Sequence, residues 1–519
     1  MSRAGRPTAR ERRSGPLAPG LLALGLAALG VVLPGRLVAQ DARFDSARAR
    51  ILRVLEEESL PSLAVAVAED GRIVWEAGFG WADRERRIPA TEHTMYSLAS
   101  ISKPITATGL MTLVEDGRID LDRPANDYLG PGRLTGLAGP ASAATVRRVL
   151  SHTAGLPLHY EFFYENEDHA ERSMDVAIAR YGILVNPPGE VYQYSNLGFG
   201  IIDHIIARVS GRSYPEFMRA EVFDPLGMTR SSVHVGPGLA PYAAQRYDSE
   251  LRPIPYYDFD HDGGSAVYSS AHDLVRFGMF HLKDRLHTQR RILEDATIDA
   301  MQRVHTPGPT DSGYGLGWGI DADVFGFRRV AHSGGMPGVS TALHLYPDED
   351  VAVVVLTNRG AGGAVYRIAE DLAAAVLPGF AAALREARSR RAGQTRAADD
   401  DRHGFEPPAE LIGEWTGALR TYEGETPIEI VVQPDGDVHV TLEGELRALL
   451  NDVAYEDGNL TGRFAGTIPS ADARRHPHTI RLDLRLREDG VLSGQASAQT
   501  VRPPIYFALT SYVELRRER

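Results

Sequence analysis

The sequence contains no cysteine. Disulfides, thiolate metal sites and a cysteine nucleophile are therefore excluded, and any covalent catalysis must fall to serine, threonine, lysine or a carboxylate. Lysine is almost as scarce: of 56 basic residues only Lys103 and Lys283 are lysine, and the rest are arginine. Arginine cannot lose its proton in a protein, whereas lysine can when it is buried or set beside another cation. A chain that meets its need for surface cations with arginine has a use for lysine where a base is required. Beyond the first forty residues there is also no apolar run long enough to span a bilayer.

Those forty residues differ in kind from the rest. Arg3, Arg6, Arg10, Arg12 and Arg13 precede an apolar run from Leu17 to Leu33, and Val38, Ala39 and Gln40 lead into Asp41. Basic, apolar, small and then polar is the order of a secretory signal, so residues 1–40 are expected to be removed near Ala39 or Gln40 and the protein exported to the periplasm or beyond. Their loss leaves 50 basic against 68 acidic residues. An acidic mature chain is a poor partner for nucleic acid.

Periodicity divides what remains. Ala42 to Glu58 reads as an amphipathic helix, Ser62 to Ala68 and Arg72 to Trp81 as strands joined at Asp70-Gly71, and Ser100 to Glu115 as a helix with Pro104 in its first turn. Thr145 to about Leu282 reads as helices and long loops. Strands return at Gly315 to Ile320, Phe327 to Ala331, Ser340 to Tyr346 and Val351 to Leu356, followed by a helix from about Ala364 to Ala387. Strands at both ends of a helical insert predict one antiparallel sheet. Arg388 to Arg402 has almost no large apolar residue and reads as a linker. From Glu410 to Glu514, turn signals at Asp435-Gly436, Asp457-Gly458 and Asp489-Gly490 separate about eight short strands, an all-β sandwich or barrel. The division expected is a signal at 1–40, a first domain at 41–387, a linker at 388–403 and an all-β domain at 404–519.

Chemistry concentrates in three short motifs. In Ser100-Ile101-Ser102-Lys103 the two end residues lie one helical turn apart on one face, so the amine can reach back to the Ser100 hydroxyl. Bringing a lysine from about 10.4 to about 7 or 8 requires roughly 3–5 kcal/mol of desolvation and electrostatic work. Alone the motif also describes a helix cap and a solvated lysine. Two further motifs accompany it, Tyr194-Ser195-Asn196 and His332-Ser333-Gly334-Gly335.

An S-x-x-K, a Y-x-N and a [KH]-[TS]-G in this order resemble the signature of class C β-lactamases, D-alanyl-D-alanine carboxypeptidases and related esterases of the serine β-lactamase and penicillin-binding-protein group. Leu150 to Pro157, Asp224 to Met228 and Tyr314 to Trp318 also resemble family segments, so the likeness runs over roughly residues 45–385. Leu411 to Gly417, LIGEWTG, resembles the first strand of lipocalin-like domains attached to some serine peptidases of this group. The resemblance implies an α+β fold, a β-lactamase/transpeptidase-like antiparallel sheet flanked by helices with a helical subdomain, plus a C-terminal lipocalin-like all-β domain.

It further implies Ser100 as nucleophile, with Lys103 and Tyr194 as competing candidates for the base. Asn196, His332, Ser333 and Gly334 would contact the substrate, and the backbone N–H groups of Ser100 and Gly335 would form the oxyanion hole. No metal or cofactor is expected. The partner expected is a small-molecule or peptide substrate, peptidoglycan fragments included. His332 departs from β-lactamases, which usually carry lysine there, and moves the expectation toward a D-amino-acid peptidase, carboxypeptidase or carboxylesterase, with β-lactamase, or an idle relative that only binds such ligands, as alternatives. Neutral His332 is expected to help order the Tyr194 hydroxyl. His152 is expected to be structural, and Asp258, Asp260, His261 and Asp262 to form a solvated loop rather than a metal site. Since every candidate residue precedes the linker, residues 404–519 are expected to be dispensable for chemistry.

Overall fold

The computed structural model describes residues 41–165, 173–236, 238–398, 405–502 and 505–518. The expected signal segment lies outside them.

Val351–Thr357 is buried along its whole length and pairs antiparallel with Ser62–Glu69 on one side and Val339–Tyr346 on the other. Because side chains alternate across a strand, Val353 and Val355 join Leu63, Val65, Ile368 and Leu372 under the helices Asp45–Glu57 and Gly362–Val376. Ala352, Val354 and Leu356 point the other way, to a cluster containing Leu274 and Phe277 of the helix Ala271–His281. The sheet therefore needs helices on both faces, and its near-continuous apolar strand records that. Eight strands follow the order Gly313–Tyr314, Gly319–Val324, Phe327–Met336, Val339–Tyr346, Val351–Thr357, Ser62–Glu69, Arg72–Asp83 and Ile88–Pro89. At the Asp70-Gly71 turn both residues have positive φ, 48° and 72°, as a two-residue hairpin demands.

The helical insert packs against the open side of this sheet. Its central helix, Ser102–Glu115, is buried on nearly every side. Asn196–Ser210 lies against it, capped at its start by the Ser195 hydroxyl, which accepts from the Gly198 N–H at 2.9 Å, and ended by Gly211 at φ 76°.

Three local readings are corrected. Gly315–Trp318 is a loop between two strands, not part of one: Gly317 has φ +85°, and a Cβ there would stand 2.7 Å from the Ala107 Cβ, so the chain crosses closely over the central helix. The helix expected from Ala364 to Ala387 is two, Gly362–Val376 and Phe380–Ala398, broken at Leu377-Pro378-Gly379 with Gly379 at φ 90°. The second continues to Ala398, into the stretch read as linker.

Residues 405–502 and 505–518 build an antiparallel, nearly closed barrel, whose path runs from Ala448–Leu449 through Gly413–Thr421 and Ile505–Arg517 to Asn451–Glu456. Inside it Trp415 is fully buried and donates its Nε1–H to the Leu411 carbonyl at 2.8 Å. The barrel is docked on the helical insert. Tyr160–Tyr164 pairs with Ile505–Arg517, and Arg180 with Asp472, Arg475 with Glu161 and Arg487 with Glu190 form ion pairs across the contact.

Trp415→Ala removes the largest side chain of the barrel core and should cost about 3–5 kcal/mol. Urea unfolding measures this. A loss under about 1 kcal/mol would mean that the barrel interior is not packed around this ring.

Candidate active site

Ser100 sits in a tight 3₁₀ turn, Ala99–Ile101, that leads directly into the helix Ser102–Glu115. The turn is held from three sides. The Leu98 N–H donates to the Val267 carbonyl at 2.9 Å, the Leu98 carbonyl accepts from the Thr341 hydroxyl at 2.9 Å, and the Ser102 hydroxyl accepts from the Val267 N–H at 3.0 Å. Ala99 is in the left-handed region at φ 48°, a conformation that costs an L-residue about 1–2 kcal/mol and persists because its surroundings enforce it. The outcome is a partly exposed Ser100 hydroxyl on a rigid elbow.

Lys103, one turn further along, is fully buried. Its Nζ lies 3.2 Å from Ser100 Oγ, 2.8 Å from Asn196 Oδ1 and 3.0 Å from the Gly264 carbonyl oxygen. Two of these partners can only accept. A neutral amine has two N–H donors and one lone pair, so donation to Asn196 and Gly264 leaves the lone pair for the Ser100 hydroxyl proton. Burial works in the same direction and holds the amine well below its ordinary value of 10.5.

Tyr194 completes this group. Its ring centroid lies 4.8 Å from Lys103 Nζ, and its hydroxyl neighbours Ser100. Burial raises its pKa well above the ordinary 10, so the phenol is neutral. With Oδ1 of Asn196 committed to Lys103, the Nδ2 hydrogens are that amide's donors.

His332 is placed differently from expectation. Its Nδ1 lies 2.8 Å from the Ser333 carbonyl, which can only accept, so Nδ1 carries the proton and Nε2 accepts from the Tyr314 hydroxyl at 2.8 Å. Burial pushes its pKa down to about 3. Its hydrogen bonds thus go to Tyr314 and the backbone rather than to Tyr194. His332 and Ser333 line a cavity of about 490 Å³ with Tyr192, Tyr194, Tyr314, Thr306, Pro307 and Ala331, and no charged side chain joins them.

The strand carrying His332 brings Gly334 against the turn that holds Ser100. A Cβ on Gly334 would stand 2.1 Å from the Leu98 carbonyl oxygen and 3.0 Å from the Ala99 Cβ, whereas one on Gly335 would meet nothing within 4 Å. Gly334 is therefore the close-approach position and Gly335 borders open space.

Three contributors escaped sequence reasoning. The Gly264 carbonyl is a backbone acceptor with no residue-type signature. Tyr192 and Tyr314 had the signal of proximity to recognised motifs, two residues before Tyr194 and at the head of Tyr314 to Trp318. His152 packs 4.4 Å from the Tyr194 ring and 4.7 Å from Tyr314, and its Nδ1 accepts from the Ser195 N–H at 3.1 Å. Burial holds it far below its ordinary pKa, so it steadies the tyrosines as an uncharged ring.

The loop expected to be solvated is mostly enclosed. Asp260 and His261 are buried, and Asp260 lies between His159 Nε2 at 2.6 Å and His261 Nδ1 at 2.7 Å. His234 bridges Asp258 and Asp262, at 2.8 Å to each.

Comparison with known proteins agrees with this architecture. The family model described as Beta-lactamase matches residues 47–377. Penicillin-binding protein 4 of Amycolatopsis lactamdurans is 29% identical over 331 residues, 61% of this chain and 84% of that one. Among solved structures, the octameric penicillin-binding protein homologue from Pyrococcus abyssi superposes with a TM-score of 0.57 at 21% identity, covering 90% of this chain and 99% of its own. A class C beta lactamase from Rhodobacter sphaeroides superposes with a TM-score of 0.53 at 24% identity, covering 64% of this chain and 99% of its own.

Gly334→Ala should drive its strand away from the nucleophile turn and lower the acylation rate by about 10²–10³-fold, the scale of one lost oxyanion donor. Gly335→Ala should stay within about threefold of the parent by the same reasoning. Stopped-flow acylation with a chromogenic ester compares them. Equal losses in the two variants would show that the close approach at Gly334 does not set the site.

Proposed function

The chain belongs to the beta-lactamase family, whose members are serine hydrolases of amide and ester bonds, and on that premise we propose that it is an exported hydrolase working through an acyl-enzyme on Ser100. The observation that carries this reading is the contact set of Lys103. The amine takes the Ser100 proton as Oγ bonds to the substrate carbonyl carbon, and the resulting oxyanion meets the N–H groups of Ser100 and Gly335. When the tetrahedral species collapses, the bond to the leaving nitrogen or oxygen breaks. Tyr194, next to both Ser100 and Lys103, passes the lysine proton to that atom. Water then enters, Lys103 accepts its proton as it attacks the ester, and Ser100 leaves with a proton returned. Burial of Lys103 and neutrality of Tyr194 favour lysine as the base and tyrosine as the shuttle.

Substrate preference follows from the cavity beside Tyr194. Its tyrosines and uncharged His332 suit a neutral leaving group, and a carboxylate placed there would find no fixed cation. A carboxylate-bearing β-lactam, or the free terminus cut by a carboxypeptidase, is less well served than an ester or a blocked D-aminoacyl amide. The best reading is accordingly a carboxylesterase or D-amino-acid peptidase acting on uncharged leaving groups. Export rests on the basic and apolar order of residues 1–40.

Ser100→Ala should abolish turnover and fluorophosphonate labelling while the melting temperature stays near that of the parent. Intact-mass spectrometry reads the label, and its persistence on another serine would overturn the assignment. Lys103→Arg should be as inactive as Lys103→Ala, because arginine keeps the charge and cannot yield the proton. In the parent, acylation should rise with pH through a midpoint well below the ordinary lysine value, since only the neutral amine accepts a proton; an Arg variant that acylates at the parent rate would leave Tyr194 as the base.

His332→Lys places an ammonium in the cavity. The ratio of kcat/KM for a carboxylate-bearing β-lactam to that for a neutral ester should rise by about tenfold or more, the worth of one charge-assisted contact. A ratio unmoved by the substitution would remove His332 from substrate selection.

A further inference from the structure

The base and the barrel are joined by a continuous set of hydrogen bonds. Tyr160–Tyr164 lies between two strands of different origin. On one side Tyr160 and Glu161 pair with Ala508 and Phe507 of the barrel; on the other Phe162, Phe163 and Tyr164 pair with Phe259, Asp258 and Tyr257. Aromatic packing follows the same line, with Tyr506 of the barrel 5.2 Å from the Tyr160 ring and 4.8 Å from Phe162, which in turn lies 4.7 Å from Phe259.

The strand Tyr257–Phe259 runs straight into Asp260. This buried carboxylate accepts from His159 Nε2 at 2.6 Å, from His261 Nδ1 at 2.7 Å and from the Glu161 N–H at 3.3 Å, so both residues beside the barrel-paired Tyr160 converge on it. Burial opposes its charge, but the two imidazoles hold its carboxyl below the ordinary range. From there the turn is short: the His261 carbonyl accepts from the Gly264 N–H at 2.9 Å, and the Gly264 carbonyl accepts from Lys103 at 3.0 Å. The His261 ring closes over the turn, its Cδ2 being 3.0 Å from where a Cβ on Gly264 would stand.

We propose that the barrel is a positioning element for the base: through the strand Tyr160–Tyr164 and the Asp260 bridge it fixes the Gly264 carbonyl and thereby aims the Lys103 lone pair at Ser100. Asp260 and Tyr506 are positioning residues in this scheme, and neither touches the reacting atoms. The inference rests on Lys103 acting as the base, and it replaces the expectation that residues 404–519 are dispensable for chemistry. An acceptor that moves by about 1 Å is enough to cost on the order of 10²-fold in rate. It also ceases to favour the ammonium, so the lysine pKa falls further.

The test uses the full chain with Tyr506→Ala, Asp260→Asn and the two together, on a neutral chromogenic ester across pH. Each single variant should lose at least about tenfold in kcat with KM within about twofold, and the acid limb of its pH profile should move to lower pH. Because both act on one route, the double variant should lose no more than the worse single one. Unchanged kcat and an unmoved limb in folded Tyr506→Ala, or losses that multiply in the double variant, would overturn the proposal. Should Asp260→Asn fail to fold, the limb in Tyr506→Ala decides alone. A parent-like rate in Lys103→Arg would instead strike the assignment of the base, which separates the two failures.

Discussion

A buried amine has to be matched contact for contact, and the three partners of Lys103 organise this molecule. Asn196 Oδ1 and the Gly264 carbonyl accept from the amine, and Ser100 Oγ lies 3.2 Å from it, where in the proposed mechanism the hydroxyl donates to the lone pair. Each partner comes from a different part of the chain. Ser100 lies in the turn before the central helix, Asn196 opens a second helix, and Gly264 belongs to the short helix Asp262–Ser265 that follows strand Tyr257–Phe259. Burial of the lysine destabilises its charge, which fits it for the role of base proposed above.

Close backbone approach is the second requirement. Gly334 admits the Leu98 carbonyl and Gly317 lets a loop cross the helix, both at distances that a side chain would forbid. The left-handed Ala99 is tolerated because Thr341 and Val267 grip the residue before it. In the cavity beside Tyr194, His332 donates its Nδ1–H to a carbonyl and accepts from Tyr314 at Nε2, and so brings polarity without charge.

Much of this was legible in the chain, and what was not has physical reasons. The Ser100 to Lys103 spacing is local, so helix geometry alone places one beside the other. The paired sheet strands announce themselves by apolar runs and turn residues such as Asp70-Gly71. Backbone acceptors leave no such trace, and Gly264 could not be found from residue type. Asp260 read as part of a solvated loop because its partner His159 is remote in sequence. The expectation that His332 orders Tyr194 misses Tyr314, which the register of Gly313–Tyr314 against Gly319–Val324 and of that strand against Phe327–Met336 sets in line with Ala331, next to His332. Arg388 to Ala398 lacks large apolar residues but is rich in alanine and arginine, strong helix formers, and continues as helix.

The scarcity of lysine allows the central claim to be tested directly. Protein labelled with ¹⁵N at lysine Nζ has two side-chain signals, from Lys103 and Lys283, and the one missing in Lys103→Arg is that of the proposed base. Its nitrogen should titrate with a midpoint well below the ordinary 10.5 and be a neutral amine wherever acylation has reached its plateau. A signal that remains an ammonium throughout the pH range in which Ser100 is acylated would contradict the account.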